Sequence, residues 1–94
     1  MKAIPYEVGR AACSTQGRDK GRLMLIVAVV DARFVLVADG DLRKLEKPKR
    51  KQRKHLRPLP QTFPELAQRL NAAQPVLNSD VRKALATLRT NQEN

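Results

Sequence analysis

The sequence of 94 residues contains few aromatic residues. It has no tryptophan, and its three aromatic residues are Tyr6, Phe34 and Phe63. We expect Phe34 to lie in the core, because it begins an apolar segment. Proteins that bind single-stranded nucleic acids commonly stack successive bases on exposed rings. The sequence therefore argues against a stacking platform of that kind.

Cysteine and long apolar runs are also scarce. The single cysteine, Cys13, excludes an internal disulfide and points to a reducing compartment. No apolar segment of the secretory type follows Met1-Lys2. The longest apolar run, residues 23–30, has eight residues, whereas a membrane-spanning helix needs about 20. We expect a cytoplasmic protein that makes no contact with membranes.

The residue patterns of catalysis and metal binding are missing as well. The sequence has no paired Cys/His spacing, no phosphate-binding Walker loop and no combination of nucleophile and base. His55, the only histidine, lies among cations, which argues against metal ligation. Asp39 and Asp41 flank Gly40 and could be considered as metal ligands. A turn at this position favours aspartate and explains both residues without a metal. We expect no enzymatic activity, no metal and no cofactor.

Cations, in contrast, are abundant and concentrated. Nineteen Lys and Arg face nine acids, and residues 43–57 contain nine of these cations with one acid, Glu46. Because like charges repel and are costly to desolvate, the run is expected to face either water or a polyanion rather than the core. A solvated surface normally mixes both signs, so nucleic acid is the leading partner. The candidate contacts are Arg43, Lys44, Lys47, Lys49, Arg50, Lys51, Arg53, Lys54 and Arg57.

The first half of the chain has the pattern of short β-strands. We predict strands at 6–14, with an interruption at Gly9 that marks a bulge or a close backbone approach, at 23–30, at 34–38, and from Leu42 through Leu45 after an Asp39-Gly40 turn. The run 23–30 is apolar throughout, which predicts a strand covered on both faces. Closure into a small antiparallel barrel would protect the edges of so small a sheet.

Between the first two predicted strands, Gly17 and Gly21 bracket a charged tripeptide, as in a tight loop that needs positive φ. Its cations, Arg18, Lys20 and Arg22, suit phosphate contact. An ordinary polar hairpin is the alternative interpretation of this loop.

After the basic run the apolar pattern becomes helical. Thr62 and Glu65 fit a capping box for a helix with Leu66, Leu70 and Ala73 on one face. A second helix, capped at 78–80, carries a stripe of Val81, Leu85 and Leu88. Such short helices are marginal alone. They either complete the core or dock a protein partner.

The segment from about residue 8 to 31, centred on Gly17-Arg18-Asp19-Lys20-Gly21-Arg22, resembles the KOW motif of ribosomal and transcription-associated proteins. With Val37-Ala38-Asp39-Gly40, Arg43-Lys44, Lys47-Pro48-Lys49-Arg50-Lys51 and Lys54-His55-Leu56, the chain is similar to KOW-domain RNA-binding proteins of certain bacteria. Those proteins are relatives of KOW-containing large-subunit ribosomal proteins of archaea and eukaryotes. The resemblance covers residues 6–57; the helices lie outside it.

This resemblance implies an SH3-like β-barrel that binds RNA. The positions that match the family pattern are Arg18, Lys20, Arg22, Lys49, Arg50, Lys51, Lys54 and His55. The expected fold is therefore mainly β with C-terminal α. It comprises a KOW-type barrel core at 1–46, a basic segment at 47–60 that can contribute a last strand, and a helical extension at 61–94.

The function expected from these features is binding of structured rRNA through phosphates by a monomer associated with the ribosome. An alternative is an adaptor for a transcription or translation factor, as KOW domains serve in NusG-like proteins. A nuclear-import signal at 47–54 is a third interpretation.

Overall fold

The computed structural model describes residues 3–92, which form one antiparallel sheet and two helices. The strands are β1 (Arg10–Ser14), β2 (Leu23–Val29), β3 (Phe34–Ala38), β4 (Lys49–Gln52) and β5 (Leu56–Thr62). A 3₁₀ turn (Arg53–His55) separates β4 from β5, and the helices are α1 (Pro64–Asn71) and α2 (Asn78–Gln92). The strand order β4-β3-β2-β1-β5 makes the two consecutive strands β4 and β5 the outer ones. The prediction of a mainly β protein with C-terminal helices is confirmed.

The first half of the central strand β2 is covered on both faces, as its apolar run predicts, but the prediction is wrong for the end of the run, where Val29 and Val30 are 43% and 48% exposed. Leu23 and Leu25 belong to a helix-side cluster, whereas Met24 and Ile26 belong to a cluster made by the sheet. The alternation follows from the period of two in a strand, which directs successive side chains to opposite faces.

The helices complete the core. The predicted stripe of α2, Val81, Leu85 and Leu88, is buried in the helix-side cluster together with Leu66 of α1. Each such burial contributes roughly 1.5–3 kcal/mol relative to an exposed side chain. The first of the two interpretations of the helical stripes is therefore confirmed.

The predicted strand at Leu42–Leu45 is wrong. Asp39 turns the chain out of the sheet, because its Oδ1 accepts the backbone N–H groups of Asp41 and Arg43 at 2.9 and 2.8 Å. Leu42 is consequently 64% exposed. Of the two leucines of the expected strand, Leu45 is the one that packs against the helix-side cluster. The strand that pairs with β3 comes later, inside the basic run, at β4.

The predicted capping box at Thr62 is also wrong. Thr62 ends β5 opposite Arg10, and the N–H of Phe63 donates to the carbonyl of Gly9 at 2.8 Å. These sheet contacts keep the chain extended up to Phe63, the N-cap residue, which makes no side-chain cap. Ala73, predicted on the apolar face of α1, lies beyond the helix with a φ of 54°. At α2, the carboxylate of Asp80 accepts the N–H of Leu77, which supplies the expected local cap.

Two glycines let the helices approach the sheet closely. Gly9 has a φ of +88°, and a Cβ there would lie 2.5 Å from the Cβ of Ala67 in α1, which confirms the predicted close approach. Gly40 has a φ of +79°, and a Cβ there would lie 2.3 Å from the carbonyl oxygen of Asn78 in α2. Arg82 of α2 donates to the Gly40 carbonyl across the same contact.

We predict that Gly40→Ala lowers the free energy of unfolding by about 2–5 kcal/mol, because it adds a close backbone contact to the cost of positive φ. The matched control is Gly21→Ala, since Gly21 has a φ of +86° but nothing within 4 Å of the added Cβ. It should lose only about 1 kcal/mol. Urea unfolding of both variants measures the difference, and equal losses would contradict a tight contact between Gly40 and α2.

Candidate nucleic-acid interface

Cationic side chains line a groove between the β1–β2 loop and strand β4. This basic groove has a volume of about 460 Å³. Its lining consists of Gln16, Gly17, Arg18, Asp19, Phe34, Arg43, Lys49, Arg50, Lys51, Gln52 and His55. Among these residues five cations face a single acid, Asp19.

The β1–β2 loop forms one wall of the groove through a succession of tight turns. Gly17 and Gly21 have φ values of +84° and +86°, as their spacing predicts. The N–H of Gly21 donates to the carbonyl of Ser14 at 2.7 Å, and the N–H of Lys20 donates to the carbonyl of Gly17 at 3.2 Å. Arg18 and Lys20 are therefore held at the exposed tip of the loop.

Two ion pairs join this loop to the segment after β3. Asp19 accepts from Arg43 at 3.2 Å, and Asp39 accepts from Arg22 at 3.0 Å. The side chains of Asp19 and Asp39 are only 6% and 2% exposed, so each carboxylate needs its arginine as a partner. Arg22 and Arg43, two of the predicted contact residues, thus also hold the two segments together.

The expectation that the whole basic run lies outside the core is wrong for Lys51, which is buried. Its position in β4 pairs with Val35, so the strand alternation directs its stem toward the interior. The Nζ atom reaches the carbonyl oxygen of Gln16 at 2.8 Å and thereby ties β4 to the β1–β2 loop. An apolar stem with a polar end allows this placement.

Arg53 also has internal partners. Its Nη2 donates to the carbonyl of Asp31 at 2.7 Å, and its guanidinium carbon lies 5.3 Å from the centroid of the Tyr6 ring. The Tyr6 hydroxyl hydrogen is shared between the carbonyl oxygens of Arg53 and Leu56, each 3.0 Å away. These contacts fix the 3₁₀ turn beside the groove.

The other predicted residues surround the basic groove to different extents. Lys44 and Lys47 line an adjoining depression of about 440 Å³ that shares Arg43, Lys49 and Arg50 with the groove. Lys20 and Arg22 line a depression of about 400 Å³ on the other side of Arg18. Lys54 lies with Arg33 and Arg53 near one end of β4, and Arg57 is exposed on β5 opposite Cys13.

Phe34 lines the groove, so the expectation that it lies in the core is wrong. It is only half-buried and belongs to neither core cluster. The guanidinium carbon of Arg50 lies 4.1 Å from the centroid of its ring. The strand alternation contains the signal that was missed, because burial of Val35 and Val37 directs Phe34 to the opposite face of β3.

Arg33 and Arg89 are further cations beside the predicted set. The guanidinium carbon of Arg33 lies 5.7 Å from the Phe34 centroid, and Arg89 of α2 lines the depression with Arg18 and Lys20. The β2–β3 turn that carries Arg33 is held by Asp31. Hydrogen bonds from the N–H groups of Arg33 and Phe34 lower the pKa of Asp31 below its usual value. Arg89 could not be found from local pattern, since only the fold brings α2 to the loop.

A comparison with models of known protein families gives no match for this chain. Within residues 3–92, no three His, Cys, Asp or Glu side chains are grouped so that they could hold a metal ion. The described part of the chain also has no helix with the length and apolarity to cross a membrane.

We predict that Lys51→Glu and Lys49→Glu, which make the same charge change two residues apart in β4, differ in stability. Lys51→Glu should lower the free energy of unfolding by about 2–4 kcal/mol, because a buried carboxylate would face the Gln16 carbonyl without a donor. Lys49 is exposed, so Lys49→Glu should stay within about 0.5 kcal/mol of the wild type. Thermal or urea unfolding checks this, and similar losses would show that Lys51 is not a structural tie.

Proposed function

We propose that this protein binds structured RNA through its phosphates, with the basic groove as the centre of the interface. The observation that carries the proposal is the convergence of Arg18, Arg43, Lys49, Arg50 and Lys51 on one groove whose only acid is already paired. The role is one of binding rather than catalysis.

The charge balance of the groove supports a polyanionic ligand. Because Asp19 is paired with Arg43, it does not neutralise the exposed cations Arg18, Lys49 and Arg50. The adjoining depressions extend the positive surface to Lys44 and Lys47 on one side and to Lys20 and Arg89 on the other. When the cations of such a surface neutralise the phosphates of a nucleic acid, the counterions condensed around those phosphates are released. This release favours binding without any reading of the base sequence.

Structured RNA is favoured over an extended single strand. Among the described residues of the groove, Phe34 is the one aromatic side chain, whereas sequence-independent single-strand binders stack successive bases on several rings. Double-stranded RNA is recognised chiefly through its shape, phosphates and 2′-hydroxyls. A groove with many cations and one ring therefore matches a structured RNA better than an extended single strand.

We further propose that the sheet curls into an SH3-like barrel of the KOW type. Its two outer strands, β4 and β5, are separated in the chain only by the 3₁₀ turn. That turn forms hydrogen bonds with the β2–β3 turn and with the residue after β1. The N–H of Arg53 donates to the carbonyl of Arg33 at 2.8 Å, and the N–H of Thr15 donates to the carbonyl of His55 at 2.9 Å. Together with the sequence resemblance, this arrangement supports association with rRNA, and hence with the ribosome in the cytoplasm.

The second candidate function is an adaptor that binds a transcription or translation factor. It is favoured by Leu42 and Leu77, each 64% exposed, on segments joined by a hydrogen bond from the Leu45 N–H to the Asn78 side chain. The apolar stripe of α2 is occupied by the core, so an adaptor would use this other surface. Copurification of a protein partner that survives nuclease treatment favours the adaptor; cosedimentation with ribosomes that nuclease or high salt abolishes favours RNA.

We predict a steep salt dependence of binding to a folded RNA hairpin. With about six phosphates engaged, the logarithm of the association constant should fall with the logarithm of the salt concentration with a slope of about −4 to −5. Fluorescence anisotropy between about 50 and 200 mM salt measures this slope. A flat response would rule out binding through phosphates.

The same titration locates the interface. Lys49→Ala should weaken binding and reduce the magnitude of the slope by about 1, as expected for the loss of one phosphate contact. Lys83→Ala is the matched control, because Lys83 is an exposed cation in the cleft between α1 and α2, which shares no residue with the basic groove. It should leave affinity and slope unchanged, and equal effects of both substitutions would contradict a localised site.

A further inference from the structure

We propose that the basic groove binds one unpaired nucleotide of a structured RNA, such as a bulged nucleotide. Its base stacks on the Arg50–Phe34 pair, and Arg18 and Lys49 hold the flanking phosphates. The inference deepens the proposed function and rests on it, since it specifies which feature of a folded RNA the groove recognises.

The first support is the position of Phe34. A phenylalanine is among the residues most often buried, and its ring accounts for a large apolar area. Here it lies half-buried in a groove of cations, outside both core clusters. Phosphate contacts alone do not need a ring in that place, whereas the π-face of a base does.

The second support is the geometry of Arg50. Its guanidinium carbon lies 4.1 Å from the centroid of the Phe34 ring, a distance typical of a cation–π contact. Arg50 itself is exposed to solvent while it keeps this contact. Unstacked RNA bases are bound on aromatic rings and on arginine planes in this manner. The pair therefore provides a stacking surface for one base.

The third support is the size and charge of the groove around this pair. Its volume of about 460 Å³ lies within the range of about 300–1,000 Å³ found for small-ligand sites. Arg18 lies on the loop wall, and Lys49 lies on the strand wall. Cations on both walls with a stacking surface between them match the chemistry of a nucleotide, whose base is neutral and whose flanking phosphates are anionic.

A base within a continuous duplex would not satisfy this site, because both of its faces are already stacked on neighbouring bases. An unpaired or bulged nucleotide leaves the stack at a lower cost. The groove offers one stacking surface, the Arg50–Phe34 pair, so the remainder of the RNA is held by phosphate contacts, as under the proposed function.

The test compares three RNA hairpins that differ at one position. The first has a single bulged adenosine, the second has an abasic nucleotide at the bulge, and the third has a continuous stem. We expect the wild-type protein to bind the first on the order of tenfold more tightly than the second, which has the same backbone but no base to stack. 2-Aminopurine in place of the bulged adenine should lose fluorescence when it stacks in the complex.

Variants then assign this preference to the groove. Phe34→Leu keeps an apolar side chain but removes the ring, and Arg50→Lys keeps the charge but removes the planar group. Each should bring the ratio of affinities for bulged and abasic RNA close to one. Leu77→Ala, a change at an exposed apolar residue before α2, should leave the ratio at its wild-type value.

The outcomes separate this inference from the proposed function. Equal, salt-dependent binding of all three hairpins would overturn the inference and leave phosphate binding in place. Binding to none of them would overturn both. If Phe34→Leu fails to give a cooperative unfolding transition, the comparison of bulged and abasic RNA with wild-type protein still decides, because it needs no variant.

Discussion

Burial of the first half of β2 on both faces is the constraint on which the rest of the molecule depends. Met24 and Ile26 take one side of the strand and Leu23 and Leu25 take the other, so the chain must supply a cover for each face. The other strands of the sheet provide the first cover and the two helices provide the second. With the buried apolar residues in these two clusters, most cations of the basic run lie exposed on the outer strand β4 and in the connections beside it. The charged surface is thus a consequence of how the core is divided.

The groove keeps its shape because some of its cations are structural. Arg22 and Arg43 pair with buried aspartates, and Lys51 ties β4 to the β1–β2 loop. Buried ion pairs often contribute little net stability, since desolvation offsets the attraction between the charges. Their effect here is positional: the two ion pairs hold the loop wall against the segment after β3, and Lys51 holds β4 against the loop. Lys49 and Arg50 of β4 remain exposed. Preorganised walls reduce the ordering cost of binding a ligand.

Local patterns predicted much of the fold, and the errors have both local causes and causes distant in sequence. The strands at 23–29 and 34–38 and the stripe on α2 follow from periodicity within a single segment. The strand expected at Leu42 is displaced by the local turn at Asp39, and the outward position of Phe34 follows from the alternation within β3. The burial of Lys51 depends on the register between β3 and β4, which are joined by a ten-residue connection. The carboxylate of Asp39 folds that connection, and the hydrogen bond from the Leu45 N–H to the Asn78 side chain joins it to α2. The composition located the candidate interface within the basic run, but it could not separate exposed cations from those with internal partners.

Protection of a sheet edge offers a competing explanation for the cations of β4. Lysine on an outer strand discourages pairing with another chain, and proteins use this device widely. The prolines of β5, Pro58 and Pro60, serve the other edge in the same way without any charge. Edge protection does not, however, account for cations on the facing loop, for an acid neutralised beside them, or for Phe34 among them. These features are the ones on which the proposal of a ribonucleotide ligand rests, since such a ligand is anionic and also has a planar face.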